Sequence, residues 1–134
     1  MDRRLVALVM AVAAATASVA QAQGPTIEHT PIACIVAGHY PKMNACFSPA
    51  AEIARARVYF KTPKGPHWYW VKWDPAAPCF TATLLKPSKA TTEMLYYVEV
   101  QDKDYREGKS DEYLVRVVKN KSCLLYTSPS PRDS

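Results

Sequence analysis

Glycine is scarce, with four residues in a chain of 134, which excludes a collagen-like or glycine-rich repeat. Long apolar runs are absent after the first segment, so nothing beyond it reads as a membrane span. Catalytic signatures are missing too. The chain has no nucleophile elbow, no His-Glu-x-x-His, no phosphate-cradling glycine loop and no Cys-x-x-Cys pair. His29, His39 and His67 stand at no ligand-like spacing. These absences predict no catalytic residues, no metal and no cofactor. Disorder throughout is excluded by what is present: 49% hydrophobic residues, three Trp and eight Tyr.

The first segment reads as a secretory leader. Arg3 and Arg4 supply positive charge, Leu5 to Ala15 is unbroken apolar sequence, and Ala20 and Ala22 each end a stretch with small residues where a signal peptidase inspects them. Residues 1–22 are therefore expected to be a signal peptide, and the mature chain to be secreted or periplasmic, where thiols oxidise. At the other end, Cys123-Leu124-Leu125-Tyr126-Thr127-Ser128-Pro129-Ser130-Pro131-Arg132-Asp133 resembles the translation of a sequencing-library adapter. That resemblance implies an artefactual, disordered tail over 123–134 and a natural protein that continues past Ser122. Residues 23–122 then carry 14 basic and 10 acidic side chains, a net +4. The basic residues are scattered among acids, so no nucleic-acid footprint is expected.

The intervening sequence alternates with period two between turn signals. Expected strands are Pro31 to Val36, Lys42 to Ser48, Ala54 to Thr62, His67 to Trp73, Cys79 to Leu85, Met94 to Val100 and Tyr113 to Val117. Pro63-Lys64-Gly65-Pro66 and the stretch Asp74 to Pro78 are expected turns. Seven short alternating segments predict an all-β antiparallel sandwich over 23–122. A helix over Pro49 to Arg57 is the rival reading there; it leaves no coherent apolar stripe. A domain of this size buries roughly 65% of its unfolded surface and gains from a covalent staple.

The stretch from His29 to Lys119 resembles the fibronectin type III-like, immunoglobulin-like domains of secreted bacterial proteins. Ala54-Arg55-Ala56-Arg57-Val58-Tyr59-Phe60, the aromatic strand Trp68 to Trp73, Phe80-Thr81-Ala82-Thr83-Leu84 and Leu95-Tyr96-Tyr97-Val98-Glu99-Val100-Gln101-Asp102 carry the resemblance. It implies a spacer, cell-surface or binding module without chemistry of its own. Two features depart from it: a charged loop from Lys103 to Gly108, and cysteines.

In a sandwich of this order the second strand pairs with the fifth, which brings Cys46 beside Cys79. Both are out of phase with Phe47 and Phe80, and this pairing is favoured. Cys34–Cys46 is the alternative. If Cys123 belongs to the adapter, Cys34 is left over and is expected to pair with something in the missing C-terminal part.

The same strand order places the third, fourth, sixth and seventh strands in one sheet. With Ala56, Val58, Phe60, Val71, Trp73, Tyr96 and Val98 turned inward, the outer face holds Arg55, Arg57, Tyr59, Trp68, Trp70, Lys72, Tyr97 and Glu99. Arg55, Arg57, Tyr59, Trp68, Trp70 and Tyr97 are the expected binding residues, because exposed aromatic patches mark binding sites. Three uses stay open: a sheet cover with a charged ladder, an interface with a protein or neighbouring domain, and a platform for polysaccharide. The function expected is a non-catalytic interaction or spacer module, with a carbohydrate-binding module or an accessory domain of a secreted hydrolase as alternatives.

Overall fold

The computed structural model describes residues 23–120; the leader expected over 1–22 and the tail expected over 123–134 lie outside the described residues. The described residues form strands β1 Thr26–Glu28, β2 Cys34–Val36, β3 Lys42–Ser48, β4 Ile53–Lys61, β5 Tyr69–Lys72, β6 Asp74–Ala76, β7 Cys79–Thr83, β8 Glu93–Asp102, β9 Glu107–Lys109 and β10 Tyr113–Val118. A single 3-10 turn, Ala50–Glu52, stands where a helix was the rival reading. Two sheets result, ordered β1-β3-β7-β6 and β2-β10-β8-β4-β5, with β9 also paired to β8.

All seven expected strands exist, and three more accompany them. β1, β6 and β9 have three residues each, too few for alternation to show. The expected turn Asp74 to Pro78 contains β6, which pairs with β7 through Asp74↔Thr81 and Ala76↔Cys79. The chain thus leaves one sheet at β5 and joins the edge of the other at β6. β2 departs from antiparallel pairing and lies parallel to β10.

The core follows from alternation. On β4, Ala56, Val58 and Phe60 are buried; on β8, Met94, Tyr96, Val98 and Val100 are buried. Met43, Ala45, Phe47, Ala82 and Leu84 meet them from the other sheet. Full burial of a Val, Leu or Phe side chain contributes roughly 1.5–3 kcal/mol. Trp73 packs edge-on against Phe47, with ring centres 5.4 Å apart. Val71, expected inward, is half-buried and packs against this core.

Two further ties join the sheets. His29 Nδ1–H donates to the Asn44 carbonyl at 2.7 Å, and Nε2 hydrogen-bonds with the Tyr96 hydroxyl, also at 2.7 Å. Tyr96 Oη in turn accepts from the Ile32 amide at 3.1 Å. Burial pushes the Tyr96 phenol up to about 12, against the lowering effect of that amide and with a small rise from Tyr113. At one margin, β1 and β9 approach so closely that a Cβ on Gly24 would strike the Glu107 carbonyl, and one on Gly108 the Pro25 carbonyl. Glycine is required there by space.

Cys46 and Cys79 are disulfide-bonded with Cα atoms 4.5 Å apart, within the usual range. The favoured pairing therefore holds and Cys34–Cys46 does not. Cys34 is disulfide-bonded as well. Removing the staple with Cys46→Ser and Cys79→Ser together is expected to lower stability by about 3.7 kcal/mol, the chain-entropy figure for a separation of 33 residues. Urea unfolding of the variant against the parent measures this, and an unchanged midpoint would contradict it.

The β8–β9 turn has its own clasp. Asp102 Oδ1 accepts from the Asp104 and Arg106 amides, each at 2.9 Å, and Oδ2 accepts from Arg106 Nε at 3.0 Å. Burial by itself would raise this carboxyl; the two amides and the Arg106 guanidinium outweigh it and hold it below the ordinary range. A depressed folded pKa gives stability that is complete above the unfolded carboxylate value and is lost as pH falls through the folded one. Asp102→Asn is thus expected to lower the melting temperature at neutral pH and to flatten its fall on acidification. A parallel fall in both proteins would refute the linkage.

Candidate functional site

β4 is paired on both sides, with β8 and with β5, so its outward residues stand in the middle of a broad sheet face. Arg57 lies opposite Glu99 on β8 and Lys72 on β5; Tyr59 lies opposite Tyr97 and Trp70. Trp68 immediately precedes β5 and reaches the same face. The structure therefore brings together all six residues expected for binding: Arg55, Arg57, Tyr59, Trp68, Trp70 and Tyr97.

Their contacts form a continuous layer. Tyr59 and Tyr97 stack with ring centres 4.9 Å apart and planes 12° from parallel. Trp68 meets Tyr97 edge-on at 4.9 Å. The Arg57 guanidinium lies 3.7 Å from the centre of the Trp70 ring, close enough for cation–π attraction. Arg57 Nη1 donates to the Tyr59 hydroxyl at 3.2 Å, and that hydroxyl donates to Glu99 at 3.2 Å. Arg55 completes the ladder with an ion pair to Glu99 at 3.3 Å. An ion pair this exposed adds little stability, about 0–1 kcal/mol. The Tyr97 phenol is raised above its ordinary range by burial first, then by the charge of Glu99 and by Tyr59 and Glu112.

Exposure is uneven. Trp70 keeps 48% of its surface in solvent, whereas Arg55, Arg57, Tyr59, Trp68 and Tyr97 are half-buried in one another. The layer therefore covers the sheet and still presents aromatic surface.

Two cations escaped the sequence reading. Lys61 Nζ lies 5.3 Å from the Trp68 ring centre and Lys109 Nζ 4.6 Å from that of Tyr97. Lys61 shares the parity of Arg55, Arg57 and Tyr59 and was legible on that ground. Lys109 arrives on β9, a strand with no periodic signal.

Among the described residues, no cluster of three or more His, Cys, Asp or Glu is arranged to hold a metal ion, and no helix is long and apolar enough to cross a membrane.

Comparison with known proteins adds the fold and little more. No protein-family model matches the chain, and no curated protein matches it. Among solved structures it is similar to a cycloalternan-degrading enzyme from Trueperella pyogenes, with a TM-score of 0.55 and 18% identity. The likeness covers 67% of this chain and 14% of that enzyme. It is a likeness of fold, to one small part of a much longer protein.

If the guanidinium–indole contact stabilises the layer, Arg57→Ala and Trp70→Ala should be non-additive. A double-mutant cycle read by denaturant unfolding is expected to give a coupling of about 0.5–1 kcal/mol. Additive losses would show the contact to be energetically silent.

Proposed function

We propose that residues 23–122 are a non-catalytic interaction module of the immunoglobulin or fibronectin III-like type. The module belongs to a longer secreted or periplasmic protein, and its contact surface is the outer face of β4, β5 and β8. The leader-like start and the disulfide support secretion.

The observation that carries the reading is the aromatic–cation layer itself. Trp, Tyr and Arg are the residue types that dominate protein interfaces, and here they arrive pre-ordered by their contacts with one another. Side chains held in place before binding lose less entropy on association.

A second reading, an accessory domain of a secreted hydrolase, is favoured by the fold likeness to part of a cycloalternan-degrading enzyme. In that reading the partner of the face is a neighbouring domain of the same chain.

A photo-crosslinking residue at Trp70 in the full-length secreted protein tests both. Crosslinks to a defined protein or to a neighbouring domain are expected at Trp70 and not at Leu114, a more exposed position on β10. Equal labelling at the two positions, or sedimentation with insoluble polysaccharide that is lost on Trp68→Ala plus Trp70→Ala, would overturn the protein-contact reading.

A further inference from the structure

Lysines scattered along the sequence are gathered by the fold at one end of the sandwich. That end is built from the β2–β3, β4–β5 and β7–β8 connections and the last residues of β10. The Gly38 amide donates to the Pro87 carbonyl at 2.9 Å, and the Ala37 amide to the Val118 carbonyl at 2.7 Å. Gly65, Pro66 and His67 of the β4–β5 connection line one groove with Leu85, Lys86 and Pro87. Lys42, Lys64, Lys86, Lys89 and Lys119 all stand at this end, and all are exposed. None of them has an ion-pair partner among the described residues.

Acids do not offset them. Glu93 is the one acid on these segments, and it stands opposite Arg116 across β8 and β10. Glu28 and Asp74 lie further in, opposite Cys46 and Thr81, and Lys72 has Asp74 at 3.6 Å. The other end of the sandwich holds Glu52, Asp102, Asp104 and Glu107, with Lys103 and Arg106 as its cations; the Lys103 amide bonds the Glu52 carbonyl there at 3.0 Å. β8 runs from one end to the other, and its 10 residues cover about 30 Å. That is several Debye lengths at physiological salt, so the acidic end does not quench the field of the basic one.

Apolar side chains share the basic end. Tyr40, Tyr69 and Leu85 each keep more than half of their surface in solvent. Tyr69 and Leu85 line the same groove, and Lys86 Nζ lies 5.5 Å from the centre of the Tyr40 ring.

We propose that this end docks on a bilayer rich in anionic phospholipid, with the lysines among the head groups and Tyr40, Tyr69 and Leu85 at the boundary with the acyl chains. Lysine is a compact charge on a flexible stem, suited to a diffuse anionic surface; arginine, the residue of bidentate recognition, is absent from the unpaired set. Tyrosine rings favour the membrane–water interface. Apolar insertion and attraction to anionic lipid reinforce each other. This surface is separate from the outer face of β4, β5 and β8, and the inference does not depend on that face binding a protein.

The probes are vesicles of phosphatidylglycerol and phosphatidylcholine in equal parts, and vesicles of phosphatidylcholine alone, each sedimented with the full mature chain. Binding is expected on the anionic vesicles only, and high salt should abolish it. Lys64→Gln and Lys89→Gln should each weaken it about fivefold, the factor for one cation at an anionic surface. Lys103→Gln, at the acidic end, should leave it unchanged. Leu85→Ser should weaken vesicle binding and leave any capture by heparin or polyglutamate as it was. Thermal melts that match the parent show that the variants fold. No binding to anionic vesicles at low salt would overturn the proposal. Equal losses from Lys103→Gln and Lys89→Gln would reduce the effect to net charge and overturn it too. Tighter binding to heparin or polyglutamate than to vesicles would assign the end to an acidic polymer instead. The protein with Trp68→Ala plus Trp70→Ala should bind vesicles as the parent does, which keeps a failure here distinct from a failure of the contact-face reading.

Discussion

The β4–β8 pair sets the rest of the molecule. Both strands alternate strictly, and their register pairs Val58 with Val98 on one side of the sheet and Tyr59 with Tyr97 on the other. One parity supplies the core; the opposite parity supplies the aromatic–cation face. Because side chains change sides at every residue, a one-place slip of this pair would bury arginines and expose valines at once. Core and face consequently share one register.

The smaller sheet is held to this pair unequally. On the β1 and β9 margin the two backbones touch through Gly24 and Gly108, and His29 bridges Asn44 to the buried Tyr96 hydroxyl. Cys46–Cys79 staples β3 to β7 within that sheet. On the β5 and β6 margin the chain crosses from one sheet to the other at Trp73, whose amide bonds the Ala56 carbonyl at 3.0 Å and whose ring packs on Phe47.

Alternation made most of the fold legible. β3, β4, β5, β7, β8 and β10 could be placed because each is long enough for inside and outside to separate, and the disulfide followed from their order. The six face residues came with the same parity. What stayed hidden was short or non-periodic. β1, β6 and β9 are defined by pairing across the sheet, a property that no three-residue window contains. β2 pairs parallel to β10, and a parallel pair leaves no turn signal between its strands. His29 looked like a histidine without company, because its partners Asn44 and Tyr96 are distant in sequence and meet it only after folding.

The fold alone does not specify an activity, since sandwiches of this kind host unrelated functions; any specificity must come from side chains placed upon it. Arg57 occupies the pivotal position. Its guanidinium packs on Trp70 and reaches the Tyr59 hydroxyl. Packing against an indole fixes the guanidinium in one orientation, so its free hydrogen-bonding capacity is directional. A lysine in its place would carry the charge on a flexible stem and spread the same attraction over many poses. The aromatic layer thus consumes the conformational freedom of a cation and holds the Arg57 guanidinium in one orientation on the sheet face.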